Sequence, residues 1–240
     1  VIETPRSAED LFVWRDHNRS IAGVVYFGAH MVLAADDDAA VNAFSVEARR
    51  HPGLRSFVGP AARIAHFWSR VQSWHRKPVL VRATQPLYAL VPGTLSAPER
   101  VAIRRAQPDE AERIATNSAE MMIVELGYDP RARSGFTTNV RRAIEHGLWW
   151  VWMEGDELRF QCNVGARTRR TAQIQGVWTP PEFRGRGYAR RALGSIAAEL
   201  LDETATLSLY VNDFNQPAIA LYERLGFANV ATFATYLFAA

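Results

Sequence analysis

This sequence predicts an α/β (α+β) protein with a mixed, mostly antiparallel central sheet flanked by helices, preceded by a smaller α/β domain. Three observations predict it. After about residue 100 the pattern reads strand, helices, three consecutive extended stretches, helix, strand, helix, strand. A break at residues 91–98, Val-Pro-Gly-Thr-Leu-Ser-Ala-Pro, sets this part off from an earlier alternation of extended and helical segments. With 48% hydrophobic and 22% charged residues over 240 positions, the chain can bury a sizeable core. The expected domains are residues 1–95 and 96–240.

In the first domain a helix is expected at residues 8–18, then extended segments at 21–27 and 31–35. The aspartates at 36–38 suit a helix start running to about residue 50, because a carboxylate there accepts otherwise unbonded amide hydrogens. A short strand at 54–58, a helix at 61–74 and a strand at 78–90 follow. No phosphate-binding loop occurs among them.

The second domain opens with a strand at 101–105 and a helix announced by Pro108, Asp109 and Glu110, breaking near Gly127. A helix at 136–145 stops at His146-Gly147. Extended stretches at 148–154, 157–165 and 171–179 follow, the first two joined by a hairpin turn at Gly155-Asp156. A helix at 188–202, a strand at 207–211, a helix at 217–225 and a strand at 229–238 complete the chain. The Trp149-Trp150-Val151-Trp152 run alternates strand faces, with core the favoured environment.

Composition excludes several functions. Net charge is +3, and the arginine pairs are scattered rather than arranged as a stripe, so nucleic acid is not an expected partner. No run of eighteen apolar residues and no secretory leader is seen, so the expectation is a cytoplasmic protein with no membrane partner. Cys162 is the single cysteine, which excludes an internal disulfide and a cysteine zinc cage; no metal is expected. A homodimer stays open.

The richest segment runs from Gly176 to Arg191, Gly-Val-Trp-Thr-Pro-Pro-Glu-Phe-Arg-Gly-Arg-Gly-Tyr-Ala-Arg-Arg. A strand ends, a loop with two glycines follows, and a helix begins. Unbonded amides and the positive end of the helix dipole would both face an anion there. Gly185 and Gly187 let the backbone approach phosphate oxygens, Ala189 keeps the first turn small, and Arg184, Arg186 and Arg190 add cationic charge. The dinucleotide fingerprint is excluded because Arg190 stands where a third glycine or alanine is required. A P-loop is excluded because Gly-Lys followed by Ser or Thr is absent.

Further on, Leu209-Tyr210-Val211-Asn212-Asp213-Phe214-Asn215-Gln216-Pro217 leads into a helix carrying Tyr222. Asn215 suits the cap and Pro217 the first turn. Asn215 and Tyr222 stand two helical turns apart and share a face. A phenol there can point into the cleft between the two central strands. An amphipathic core tyrosine explains the same spacing.

Together these segments resemble the GNAT superfamily of acyl-CoA N-acyltransferases over roughly residues 101–238. The Arg184-x-x-Gly187-x-Ala189 pattern is similar to its coenzyme A signature. The resemblance implies an N-acetyltransferase that moves an acetyl group from acetyl-CoA to a primary amine, of protein or small molecule, by direct attack. It implies that the cofactor arm lies along Val177, Trp178 and Thr179. The diphosphate would sit on Arg184, Gly185, Arg186, Gly187, Tyr188, Ala189 and Arg190. Asn215 would bond the arm, and Tyr222 would protonate the departing thiolate. Some members carry a basic glutamate five positions before the cap asparagine; here that position is Tyr210. Glu125 is the alternative base, with a surface acid equally compatible, and Glu120, His146 and Asp213 are weaker options. Loss of the glutamate also keeps open a non-catalytic acyl-CoA sensor.

The phrases Gln173-Ile174-Gln175-Gly176-Val177-Trp178, Leu209 through Asn215 and Gln85-Pro86-Leu87-Tyr88 resemble a GNAT subgroup with a poorly characterised N-terminal domain. The order of that domain resembles a degenerate half of the same fold. Its nearest counterpart to the phosphate loop is Gly59-Pro60-Ala61, which a plain turn also explains.

Overall fold

The computed structural model describes residues 10–96, 99–132 and 134–239; the readings made for residues 8, 9, 97 and 98 lie outside these. Among the described residues are eleven strands, mostly antiparallel, and six α-helices. The elements are β1 (Leu11–Arg15), β2 (Ile21–Phe27), β3 (His30–Ala35), α1 (Asp38–Glu47), β4 (Ser56–Pro60), α2 (Ala61–Val71) and β5 (Leu80–Leu90). Then come β6 (Arg104–Arg105), α3 (Ala111–Leu126), α4 (Phe136–Glu145), β7 (Trp149–Glu154), β8 (Glu157–Arg167) and β9 (Thr171–Trp178). The chain closes with α5 (Tyr188–Glu203), β10 (Thr206–Tyr210), α6 (Gln216–Arg224) and β11 (Ala228–Leu237).

The chain divides into two compact units. Of the described residues, one unit comprises Tyr88–Leu209 and Gln216–Asn229; the other comprises those up to Leu87, Tyr210–Asn215 and those from Val230.

Within the N-terminal unit, β1, β2 and β3 form an antiparallel meander, and β3 then pairs β4 in parallel. The helix expected at residues 8–18 is instead the strand β1. Its side chains alternate: Phe12 and Trp14 pack on the core while Leu11 and Val13 stay exposed. Period-two burial against β2 outweighs the local helical reading of that segment. The core gathers Val25, Phe27, Met31 and Leu33 from the meander against Phe44 of α1 and Ile64 and Phe67 of α2. Each such side chain contributes about 1.5–3 kcal/mol when removed from water. Asp37 caps α1, its carboxylate accepting from the Ala40 amide at 2.8 Å. A buried polar set completes the unit: Thr235 donates to Gln85 Oε1 at 2.6 Å, and Gln85 Nε2 donates to Asn212 Oδ1 at 3.2 Å.

In the other unit, β6, β7, β8 and β9 are successively antiparallel, and β9 pairs β10 in parallel. The strand expected at 101–105 shortens to Arg104 and Arg105, the two residues that find partners in Val151 and Trp150. α3 ends at Gly127, left-handed at φ 73°, which supplies the chain reversal that a side chain would resist. Ile114 and Ala115 of α3 and Val140 and Ile144 of α4 cover Trp149, Val151 and Leu158. Trp150 and Trp152 are buried as well, so core is the environment of all three tryptophans. No helix among the described residues is long and apolar enough to cross a membrane.

The run meander, helix, parallel strand, helix, strand occurs twice along the chain, as β1 to β5 and as β7 to β11. In the first copy the strand-to-helix junction is Ala35-Asp36-Asp37-Asp38, not Gly59-Pro60-Ala61. An aspartate there fills its own helix start with negative charge, which repels an anion rather than attracting one.

Candidate functional site

The site is built on the end of β9 and the start of α5, both in one unit. Trp178 of β9 faces Gln161 of β8, and Gln175 faces Asn163. One residue, Cys162, therefore lies between the partners on β8, against two, Gly176 and Val177, on β9. That is a β-bulge. Gly176 takes φ 60°, and a Cβ there would crowd Asn163 Oδ1 at 2.8 Å. A glycine inside an extended run is the sequence signal of such a bulge.

The bulge coincides with an opening between strands. β10 pairs β9 over Thr206, Leu207 and Ser208 against Thr171, Ala172 and Gln173, and the pairing stops there. From Ile174 to Trp178 that edge of β9 has no pairing with β10. Its backbone donors and acceptors can take an extended ligand as an added strand.

Beyond Trp178 a short 3-10 turn, Pro181–Phe183, leads to Gly185 at φ 73° and Gly187 at φ 79°. Neither glycine has another atom within 4 Å of where a Cβ would stand, so the left-handed backbone, not crowding, requires glycine. Gly187 is the cap of α5, and no side chain bonds the first turn. The leading amides of α5 thus lack the carboxylate partner that Asp37 gives α1. Anion binding suits this end and not the other.

The predicted side chains divide by posture. Arg184 lies over Trp178 with its guanidinium carbon 4.4 Å from the ring centre, and its Nε donates to the Thr179 carbonyl at 3.0 Å. Arg186 and Arg190 are exposed, whereas Ala189 is half-buried. Tyr188 turns toward β7, its hydroxyl donating to Glu154 at 3.2 Å and its ring meeting Trp152 edge-on at 4.9 Å. Its amide, not its phenol, is what remains for an anion. Val177 is half-buried. The Trp178 indole nitrogen and the Thr179 hydroxyl are buried without a protein partner. Such groups cost about 1–3 kcal/mol each unless a water or a ligand bonds them.

Tyr222, on α6, is 6% exposed and stands against the rings of Tyr88 at 6.1 Å and Phe227 at 6.0 Å. Burial pushes its phenol above the ordinary value, and the negative charge of Glu125 pushes the same way. The structure thereby places Glu125, half-buried near the end of α3, within electrostatic reach of Tyr222. Asn215 directly precedes α6, and its amide donates to the Asn212 carbonyl at 3.0 Å. It belongs to the Tyr210–Asn215 segment that groups with the N-terminal unit. Tyr210 stacks with Phe233 at 6.1 Å, and burial raises its phenol too. Cys162 is wholly buried and its thiol is pushed strongly upward, which leaves no thiolate for attack.

Sequence reasoning passed over Tyr88 and Gln161. Tyr88 donates to Glu223 at 2.9 Å beside Tyr222. Gln161, fully buried, donates to Ser118 at 3.0 Å, and its Oε1 has no partner. Partners 43 and 135 positions away leave no local pattern to read. A groove of about 410 Å³ lined by Arg104, Asp109, Glu110, Glu112 and Arg113 contains none of the selected residues. No cluster of metal-ligating side chains occurs among the described residues.

Comparison with known proteins bears on both halves. Residues 119–227 match the Acetyltransferase (GNAT) family, and residues 10–114 match a domain of unknown function, DUF4081. No curated protein matches the chain. Among solved structures, a GNAT-family acetyltransferase from Colwellia psychrerythraea is similar at 12% identity and TM-score 0.60, over 95% of this chain and 85% of that one. A GCN5-related N-acetyltransferase from Kribbella flavida is similar at 16% identity and TM-score 0.58, over 91% and 88%. A tandem GNAT protein from the clavulanic acid biosynthesis pathway is similar at 13% identity and TM-score 0.52, over 96% and 83%. At these identities the likeness is one of fold.

Proposed function

We propose, from the premise that residues 119–227 form a GNAT acetyltransferase domain preceded by a DUF4081 domain at residues 10–114, that this protein transfers an acetyl group from acetyl-CoA to a primary amine. One observation carries the reading. The strand that ends in a bulge runs through two left-handed glycines into a helix whose first turn no side chain caps.

In this reading the amides from Gly185 to Arg190 hold the diphosphate, Arg186 and Arg190 neutralise it, and the open edge at Val177, Trp178 and Thr179 takes the pantetheine arm. Arg184 acts by closing the loop onto Trp178. The amine nitrogen attacks the thioester carbon, and the carbonyl oxygen gains negative charge that backbone amides at the bulge stabilise. As the C–S bond breaks, the sulfur takes its electron pair and the Tyr222 proton. Burial keeps the Tyr222 phenol protonated until the thiolate appears. The raised pKa also weakens it as an acid, so the transfer depends on a thiolate made more basic by the same burial. Glu125 receives the amine proton. Residues 96–240 carry the reaction, and residues 1–95 bind no second cofactor because Asp37 occupies the corresponding helix start.

The test is thiol release from acetyl-CoA with a panel of amines, repeated with Tyr222→Phe. Turnover on an amine that falls sharply in the variant supports the reading. Absence of acetyl-CoA affinity by calorimetry overturns it. A second reading, an acyl-CoA sensor, is favoured by Tyr210 standing where a glutamate base is otherwise found. Tight binding without turnover on any amine selects it.

A further inference from the structure

We infer that Tyr88 is a positioning residue that sets the register of α6, and so the place of the Tyr222 phenol, through its hydrogen bond to Glu223. The inference rests on the reading of Tyr222 as the acid. Tyr88 is 3% exposed at the end of β5. Its hydroxyl donates to Glu223 Oε1 at 2.9 Å, and its ring stands 6.1 Å from that of Tyr222. One side chain thus touches both Tyr222 and the neighbour that follows it.

The chain just after Tyr88 holds the same end of that helix. The Ser96 amide donates to the Leu225 carbonyl at 3.0 Å. Gly226, left-handed at φ 93°, closes on the Thr94 carbonyl so tightly that a Cβ there would collide with it. Side-chain bond and backbone contacts together fix the C-terminal turn of α6, directly after Tyr222. A charge-assisted bond of this kind is directional as well as stronger than a neutral one. Small displacements of a proton donor are costly in rate, because transfer needs the acid within hydrogen-bond reach of the leaving atom.

A double-mutant cycle tests this by steady-state kinetics on the full chain. Tyr88→Phe keeps the ring and removes only the bond. It is expected to lower kcat about tenfold while the KM for acetyl-CoA stays within about twofold. In a Tyr222→Phe background the same change is expected to cost nothing further, because the group being positioned is gone. Glu223→Leu should match Tyr88→Phe, and Glu223→Gln, which retains an acceptor oxygen, should recover most of that loss. Equal losses in both backgrounds, an unchanged kcat in Tyr88→Phe, or a loss confined to KM would each overturn the inference. Full activity in Tyr222→Phe alone would remove the acid reading beneath it, a separate outcome read from a separate variant. Matched thermal midpoints of Tyr88→Phe and the parent protein exclude unfolding as the cause; if they differ, the Glu223→Gln recovery decides.

Discussion

Arg184 lies over the face of Trp178, its guanidinium carbon 4.4 Å from the ring centre, while its Nε holds the Thr179 carbonyl at 3.0 Å. The arginine of the loop is therefore tied to the strand that precedes it. Both glycines, Gly185 and Gly187, follow at once in the chain. Removing that tie frees the loop before it can meet an anion. Arg184→Ala should weaken acetyl-CoA binding about tenfold by calorimetry, from a cation–π contact of about 1 kcal/mol together with the lost hydrogen bond. Arg184→Lys should restore little, since a lysine lacks the planar face that stacks. A full recovery by lysine would show that charge alone matters.

Gly187→Ala tests the backbone. No atom lies within 4 Å of the added Cβ, so the cost is the left-handed conformation itself, about 1–2 kcal/mol. Acetyl-CoA affinity should fall by about tenfold as the loop relaxes and the amides of α5 turn away. The counterpart in the first domain behaves oppositely. Asp37→Ala should lower stability by about 1 kcal/mol in urea denaturation, through loss of the cap, and leave acetyl-CoA affinity untouched.

Three buried phenols give an alkaline prediction. Tyr222, Tyr88 and Tyr210 are all raised above the ordinary value, burial being the largest cause in each. The unfolded chain loses these protons at about pH 10, and the folded chain holds them longer. Folded stability is thus complete below about pH 10 and declines as the pH rises beyond it. Denaturant midpoints measured from pH 8 to 11 should fall on the alkaline side, with a shallower fall in Tyr222→Phe. An equal slope in the two proteins would exclude Tyr222 as a contributor.

His75 gives the acid counterpart. Burial lowers its pKa, outweighing the bond to the Arg76 carbonyl, which raises it. Its ring packs against Phe57 at 5.0 Å and Phe238 at 4.5 Å. With the folded value below the unfolded one of about 6.5, stability is present above that pH and is lost as pH falls through the folded value. Thermal midpoints should drop between pH 6.5 and 5, and less steeply in His75→Phe. The comparison isolates one ring among the histidines of the chain.

Much of this protein was legible in order. Residues 136–145 read as a helix and fold as one, because Val140 and Ile144 recur at helical spacing and a glycine follows the end. The helix expected over residues 8–18 gives way to a strand at Leu11–Arg15. Phe12 and Trp14 alternate at the strand period over a stretch of only five residues, and pairing with β2 establishes the strand. The site divides likewise. Gly185, Gly187 and the arginines around them form a contiguous chemical pattern. Tyr88 and Glu223 are 135 positions apart and form none.

By itself the sequence determined the order of elements after residue 20, the two glycines between a strand and a helix, and tyrosine rather than glutamate at position 210, because each depends on neighbours within a few residues. Only the tertiary structure decided which side chains meet across long separations: Tyr88 with Glu223, Gln85 with Asn212 and Thr235, Arg184 folded onto Trp178 rather than held out toward an anion. The reason is physical. Backbone conformation follows local sterics and hydrogen bonding, whereas burial and side-chain partnership depend on what the folded chain brings alongside.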